Sequence, residues 1–170
     1  MPFPLPFIPK LSYRVGGRRF GADRSNGRKH AGCDLIAPVG TEIFAVADGT
    51  VIDANPTMVF YHGTHSITIQ HVGFVARYCE VSGFADGIRR GKTVKAGELI
   101  AYVGRMFTTS MLHFEVYAGT LTGPLTAPKN KPYKRRSDII NPTALLDQLA
   151  SHVLESHDHF EPIASAGAAK

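Results

Sequence analysis

The chain has 170 residues, a formal net charge of +5 at pH 7, 17 glycines, 11 prolines and two cysteines. That length buries one proper core but would leave two domains marginal, so a single domain is expected. Frequent glycine and proline argue against a helical protein and suit short strands joined by tight turns, and no stretch has the length or apolarity of a membrane span.

In chain order, residues 1–10 place Pro2, Pro4, Pro6 and Pro9 among Phe3, Leu5, Phe7 and Ile8. Such a run cannot form a regular helix and reads as an extended segment lying across the body. No basic region followed by an apolar run and a small-residue cleavage site opens the chain, so no secretory signal is read. His30-Ala31-Gly32-Cys33-Asp34 follows, an irregular turn into a strand, since Gly27 and Gly32 argue against a helix. Strands are expected at 42–46, 49–54, 66–70, 74–81, 99–103 and 112–117, with Asp48-Gly49 as a hairpin turn and 94–97 as the turn feeding the next hairpin. Asn141 as N-cap and Pro142 at the first helical position open a helix. Its apolar face carries Leu145, Leu146, Leu149, Val153 and Leu154, and the stretch from 161 onward reads as a frayed end. The expected organisation is a Pro-rich extended segment (1–28), a β core (29–120), a basic loop (121–140) and a C-terminal helix with tail (141–170). The expected fold class is mainly β, an antiparallel sheet or sandwich with one C-terminal helix.

Three residues carry the chemistry. Zn²⁺ accepts imidazole nitrogen and carboxylate oxygen at ~2.0–2.2 Å, and a hydrolytic site uses three protein ligands with the fourth position left to water. His30, Asp34 and His113 are the right number and kind. In the strand 112–117 alternate residues share a face, so Met111, His113 and Glu115 point one way while Leu112, Phe114 and Val116 point the other. Any single histidine of the eight in the chain is more often a surface or hydrogen-bonded residue, and His-x-x-x-Asp alone is weak.

The surrounding text strengthens it. Gly-Cys-Asp-Leu-Ile-Ala-Pro-Val-Gly-Thr at 32–41, Val-Lys-Ala-Gly-Glu-Leu-Ile-Ala-Tyr-Val-Gly at 94–104 and Leu-His-Phe-Glu at 112–115 together resemble the lysostaphin/LytM-type murein endopeptidases. The resemblance runs over residues 30–117. It implies a small antiparallel β-protein with a narrow groove over one zinc ion, and cleavage of peptide bonds in the stem or cross-bridge of peptidoglycan. Carried over by position, His30, Asp34 and His113 match the zinc ligands. Two family positions differ. The His-x-His motif reads Met111-Leu112-His113, and the Tyr-x-His motif reads Tyr78-Cys79-Glu80, so both catalytic histidines are replaced.

Two readings follow. In one, Glu80 is the general base, as glutamate serves beside zinc in His-Glu-x-x-His metalloproteases. Tyr78 and Glu80 then share a face toward the site, Met111 forms a soft groove wall, since thioether suits zinc less than imidazole or carboxylate, and Tyr78 or His62 meets the substrate. In the other, the chain is a catalytically inactive module that binds the wall or activates an amidase. Amidase cleavage at the sugar–peptide junction is a third possibility. Of the remaining histidines, His62 and His65 occupy a loop, His71 reads as structural, and His152, His157 and His159 are not counted as ligands.

Partners follow from charge and context. Lys129, Lys131, Lys134, Arg135 and Arg136 cluster in one loop and Arg89, Arg90 and Lys92 in another. Basic patches attract polyanions, which suits a wall rich in carboxylates and phosphates. Without a recognised motif or a basic stripe interleaved with aromatics, no specific nucleic acid is expected. Cys33 and Cys79 are expected as buried free thiols facing away from the metal. A wall-cutting enzyme without a visible signal implies delivery by lysis or by a secretion machine, as for a phage lysin or an antibacterial effector with an immunity partner; alternatively, the chain is a fragment whose export element was removed.

Overall fold

The computed structural model describes residues 1–158. The side chain of Leu154, the expected last member of the helix's apolar face, lies outside the described residues, as do the side chain of His157, all of His159 and the segment 161–170.

Nine strands form one antiparallel sheet among the described residues: β1 (Cys33–Ile36), β2 (Glu42–Phe44), β3 (Gly49–Ala54), β4 (His65–His71), β5 (Phe74–Phe84), β6 (Thr93–Val94), β7 (Leu99–Val103), β8 (Met111–Tyr117) and β9 (Ile139–Ile140). The main order is β1-β8-β5-β4-β3-β6, while β7 pairs with β2 and β5, and β9 with β8. One helix, α1 (Thr143–Asp158), follows. No helix among the described residues is long and apolar enough to cross a membrane.

Alternation builds the two faces. Leu112, Phe114 and Val116 of β8, Tyr78 and Ala76 of β5, and Ile67 and Ile69 of β4 enter one apolar core. β-branched residues in β4 suit this half-buried pleat. The opposite face keeps the polar residues of the same strands, Ser66, Arg77 and His113, along a groove. Phe3 and Leu5 of the N-terminal segment are buried in the core, and that segment is tied to β2 by the Phe44 N–H, which donates to the Pro4 carbonyl at 3.0 Å.

The Asn141 side chain accepts the Thr143 N–H at 3.0 Å, capping α1 as its sequence implies. Leu146 and Leu149 are buried in the same core. Leu146→Ala is expected to cost about 2–5 kcal/mol of stability while leaving metal affinity unchanged, a result checked by urea denaturation alongside zinc titration.

Two turns differ from expectation. Asp48-Gly49 does not join a hairpin, because β2 pairs with β7 while β3 pairs with β4 and β6. Asp48 instead accepts the Ala96 N–H and the Lys95 Nζ, both at 2.8 Å, and so pins the turn at 95–97. That turn leads from β6 to a strand with different partners, so it too is a crossover and not a hairpin. Local turn chemistry reads alike in both cases; long-range pairing decides.

Candidate metal centre and active site

β1 and β8 bring the three donors together. Their antiparallel register sets Asp34 opposite His113, and His30 enters from the turn just before β1. The ligand atoms of His30, Asp34 and His113 all lie within 4.8 Å of one another. His30 Nε2 is 3.0 Å from His113 Nδ1 and 3.0 Å from Asp34 Oδ1, and His113 Nδ1 is 2.8 Å from the same oxygen. Gly32 permits this approach: a Cβ there would fall 2.9 Å from His113 Cε1 and would also collide with the Phe114 carbonyl.

The donor set fits zinc in chemistry as well as number. The His30 Nδ1–H donates to the Arg19 carbonyl at 2.8 Å, which leaves the Nε2 lone pair facing the other two donors. On the far side of the His113 ring, Nε2 lies 3.1 Å from Glu115 Oε1. Outer hydrogen bonds of this sort are how protein metal sites fix the ligand tautomer.

The charges of the cluster are coupled. Burial alone would raise the Asp34 carboxyl, but the hydrogen bond from His113 and the charge of that imidazole hold it well below the usual carboxylate range. Burial lowers His30. His113 goes the other way: burial opposes its charge, yet hydrogen bonds to Asp34 and Glu115 raise it to about 9. A histidine raised in this way holds its proton tightly at neutral pH, and a metal ion binding at Nδ1 must displace that proton. Below pH 9 the apparent zinc dissociation constant is expected to rise about tenfold per unit fall in pH, with release of roughly one proton per zinc. Calorimetric titration in buffers of different ionisation enthalpy checks both.

Glu80 reaches the groove through a bulge. Between β4 and β5 the register passes from Ser66 opposite Cys79 to His65 opposite Val81, leaving Glu80 as the extra residue. Here β5 also changes partner, since its pairing with β8 ends at Cys79–His113 and its pairing with β7 begins at Val81–Val103. Glu80 takes φ +65°, a left-handed conformation costing about 1–3 kcal/mol for a residue with a Cβ, and bulges next to active sites commonly re-aim a side chain in this way. The Gly104 N–H grips the Glu80 carbonyl at 2.8 Å, and a Cβ at Gly104 would fall 2.7 Å from that oxygen. The Glu80 side chain lines the groove with His30, Asp34 and His113. It is 8% exposed, its Oε2 is buried without a hydrogen-bond partner among the described residues, and burial raises its carboxyl to about 7.

The bulge overturns the expectation that Tyr78 and Glu80 share a face. Tyr78 is fully buried in the core, where its hydroxyl accepts the Val46 N–H at 3.0 Å, so it does not meet a substrate. His62 is exposed and lies outside the groove lining, its ring held by Tyr61 and Phe107 with centroids 3.9 and 4.1 Å away. Met111 does line the groove. His65 Nδ1 lies 3.1 Å from the Met58 carbonyl, and His71 donates from Nδ1 to the Asp48 carbonyl at 3.0 Å. Both cysteines are free and buried. Cys33, opposite Phe114, faces the core, but Cys79, opposite His113, lies on the groove face of β5, a correction to the expectation that both thiols face away from the metal.

The groove measures about 770 Å³ and gathers residues from β1 across to β3, with Arg24, Asp34 and His30 on one side and Asp53, Asn55 and Phe60 on the other. Arg24 sits 3.5 Å from Asp34 Oδ2. Residue pattern alone does not single out Arg24, Phe60 or Arg77. Arg77 lies opposite Glu115 in the sheet with its guanidinium 4.7 Å from the Phe60 ring centroid.

Comparison with known proteins bears on the family and the fold. An uncharacterized metalloprotease of Buchnera aphidicola subsp. Baizongia pistaciae is 28% identical over 130 residues, which is 74% of this chain and 32% of that protein. Glycyl-glycine endopeptidase ALE-1 of Staphylococcus capitis is 34% identical over 94 residues, 53% of this chain and 25% of that protein. The chain thus spans about a quarter to a third of the length of these curated relatives. The catalytic domain of the antimicrobial peptidase lysostaphin from Staphylococcus simulans shares the fold, with a TM-score of 0.58 over 78% of this chain and 90% of that domain at 23% identity. Residues 28–125 match peptidase family M23; the chain belongs to that family, and His30, Asp34 and His113 form its candidate metal site.

Proposed function

We propose that the chain is a zinc-dependent peptidoglycan hydrolase that cuts peptide bonds of the stem peptide or cross-link, with zinc on His30, Asp34 and His113 and with Glu80 as general base. The observation that carries this reading is Glu80 itself: a strained backbone aims a carboxylate, unpartnered at Oε2, into the groove that holds the three ligands. A bulged glutamate kept without a hydrogen-bond partner is costly for the fold and useful for proton transfer.

Zinc bound at these donors supplies Lewis acidity, polarising the scissile carbonyl and lowering the pKa of a nearby water. The chain's own residues do the rest. Glu80 Oε2 accepts the proton of the attacking water and returns it to the nitrogen of the leaving amine. A base raised to about 7 is matched to that exchange at neutral pH, where acceptance and return are both favourable. Met111 and Phe60 line the groove with apolar surface, which limits water around the reacting bond. The similarity to ALE-1, named a glycyl-glycine endopeptidase, supports a wall peptide as substrate, and the net charge of +5 favours approach to an anionic wall. The site of action is accordingly the periplasmic or extracellular wall.

Mass spectrometry of fragments from purified sacculi tests the reaction class. Internal cleavage of stem or cross-bridge peptides with one new amino group per cut is expected. Release of intact stem peptides from the glycan would mean amidase chemistry, and binding of sacculi with no fragments would mean a non-catalytic module.

A further inference from the structure

Behind the metal site lies a buried ionic cluster that the proposed mechanism does not use. Glu115 stands two residues beyond His113 on β8, so both face the groove side. Its side chain is fully buried, and both oxygens are engaged. Oε1 accepts from His113 Nε2 at 3.1 Å and from Arg135 Nε at 2.7 Å; Oε2 accepts from the Tyr117 hydroxyl at 2.7 Å and lies 3.8 Å from an Arg77 guanidinium nitrogen. Withdrawing a carboxylate this far from water costs several kcal/mol unless cations and hydrogen bonds offset it. Here two guanidinium groups and a phenol do so.

We propose that Glu115 is a positioning residue for the metal centre: by accepting the Nε2–H of His113 it holds that ring in the tautomer and orientation that turn Nδ1 toward His30 Nε2 and Asp34 Oδ1. A neutral imidazole carries one N–H, and only an acceptor at Nε2 keeps that proton away from the metal side. Glu115 cannot rotate away, because Arg135 and Tyr117 each hold a different oxygen. Arg135 arrives from the segment between β8 and β9, and Arg77 from β5. The Phe60 ring lies 4.7 Å from the Arg77 guanidinium and 5.9 Å from that of Arg135, and Arg77 donates to the Thr126 hydroxyl at 3.2 Å. The same clamp therefore joins the ligand His113 to the groove wall. Lys134 and Arg136 share the basic run with Arg135, but the clamp assigns Arg135 a separate task from attracting polyanions.

This inference rests on the proposed function only in placing a metal at His30, Asp34 and His113. Its test is metal affinity, measured on the full chain by competition for zinc with a fluorescent chelator, and the ¹⁵N shifts of His113 in the zinc-loaded protein. Glu115→Gln keeps the shape but can present an amide donor to Nε2. Glu115→Asp keeps the charge that Arg77 and Arg135 require while drawing the acceptor back by one methylene. Both variants are expected to weaken zinc binding 10–100-fold and to shift His113 away from the pure Nε2–H tautomer. Should Glu115→Gln fail to fold, Glu115→Asp alone decides. Zinc affinity within twofold of the parent with an unchanged His113 tautomer, in either folded variant, would overturn the proposal, as would a parent protein that binds no zinc. If affinity falls as expected but sacculi remain uncut by the parent protein, the positioning role stands and the hydrolase reading fails.

Discussion

His113→Ala is expected to abolish both metal retention and hydrolysis. The imidazole provides Nδ1, which lies within 3.0 Å of His30 Nε2 and 2.8 Å of Asp34 Oδ1, and no other histidine among the described residues joins this cluster. Apparent zinc-binding free energies of complete sites are on the order of 10 kcal/mol; if three ligands share it, losing one weakens binding by two decades or more. The variant also strands Asp34 and Glu115, the carboxylates whose hydrogen bonds raise His113 to about 9. A buried pair broken by removal of one partner costs about 3–5 kcal/mol, so melting should be followed in chelator for both proteins. Metal content after dialysis and fragment release from sacculi provide the two functional readouts; an active alanine variant would place the metal elsewhere.

Glu80→Gln separates catalysis from metal binding. The amide keeps the side chain's shape but cannot accept a proton at neutral pH, so turnover is expected to fall by about 10²–10⁴ while zinc affinity stays within a few-fold. Its effect on stability has a sign fixed by burial. Desolvation raises the folded-state carboxyl from 4.5 to about 7, so the folded state holds this proton more tightly than the unfolded chain does. Stability from this group is fully present below about pH 4.5 and is lost as pH rises through 7, by an amount on the order of 3 kcal/mol. In chelator, Glu80→Gln should therefore melt above the parent at pH 8 and near it at pH 4. Unchanged turnover would remove Glu80 from the role of base, and an unchanged melting difference between the two pH values would mean that the carboxyl is well solvated.

Much of this site is legible in the amino-acid sequence. The ligand trio follows from residue type and from three motif blocks in order, and strand alternation puts Met111, His113 and Glu115 on one face. What escapes is governed by distant pairing. The exchange of partners by β5, from β8 to β7, creates the bulge that turns Glu80 toward the groove and leaves Tyr78 in the core; a residue-by-residue period of two cannot signal it. Asp48-Gly49 carries good hairpin chemistry, yet its flanking strands find other partners. Arg135 stands in a basic run that reads as a solvated loop, and only the chain's return toward β8 at Ile139–Ile140 shows why one of those arginines is buried against Glu115.

Met111 lines the groove beside the three candidate donors. It occupies the family's helper position on the groove face, opposite Ile36, while the three donors it accompanies remain within ligand distance of one another.

The most direct measurement is the release of soluble, amine-bearing fragments from purified sacculi by the zinc-loaded chain, repeated after chelation and again after zinc is restored. Fragment release that stops with chelator and returns with zinc is the expected result. A folded, zinc-loaded protein that liberates nothing, or one whose activity survives complete removal of the metal, would contradict the assignment of this groove as a zinc-dependent wall peptidase.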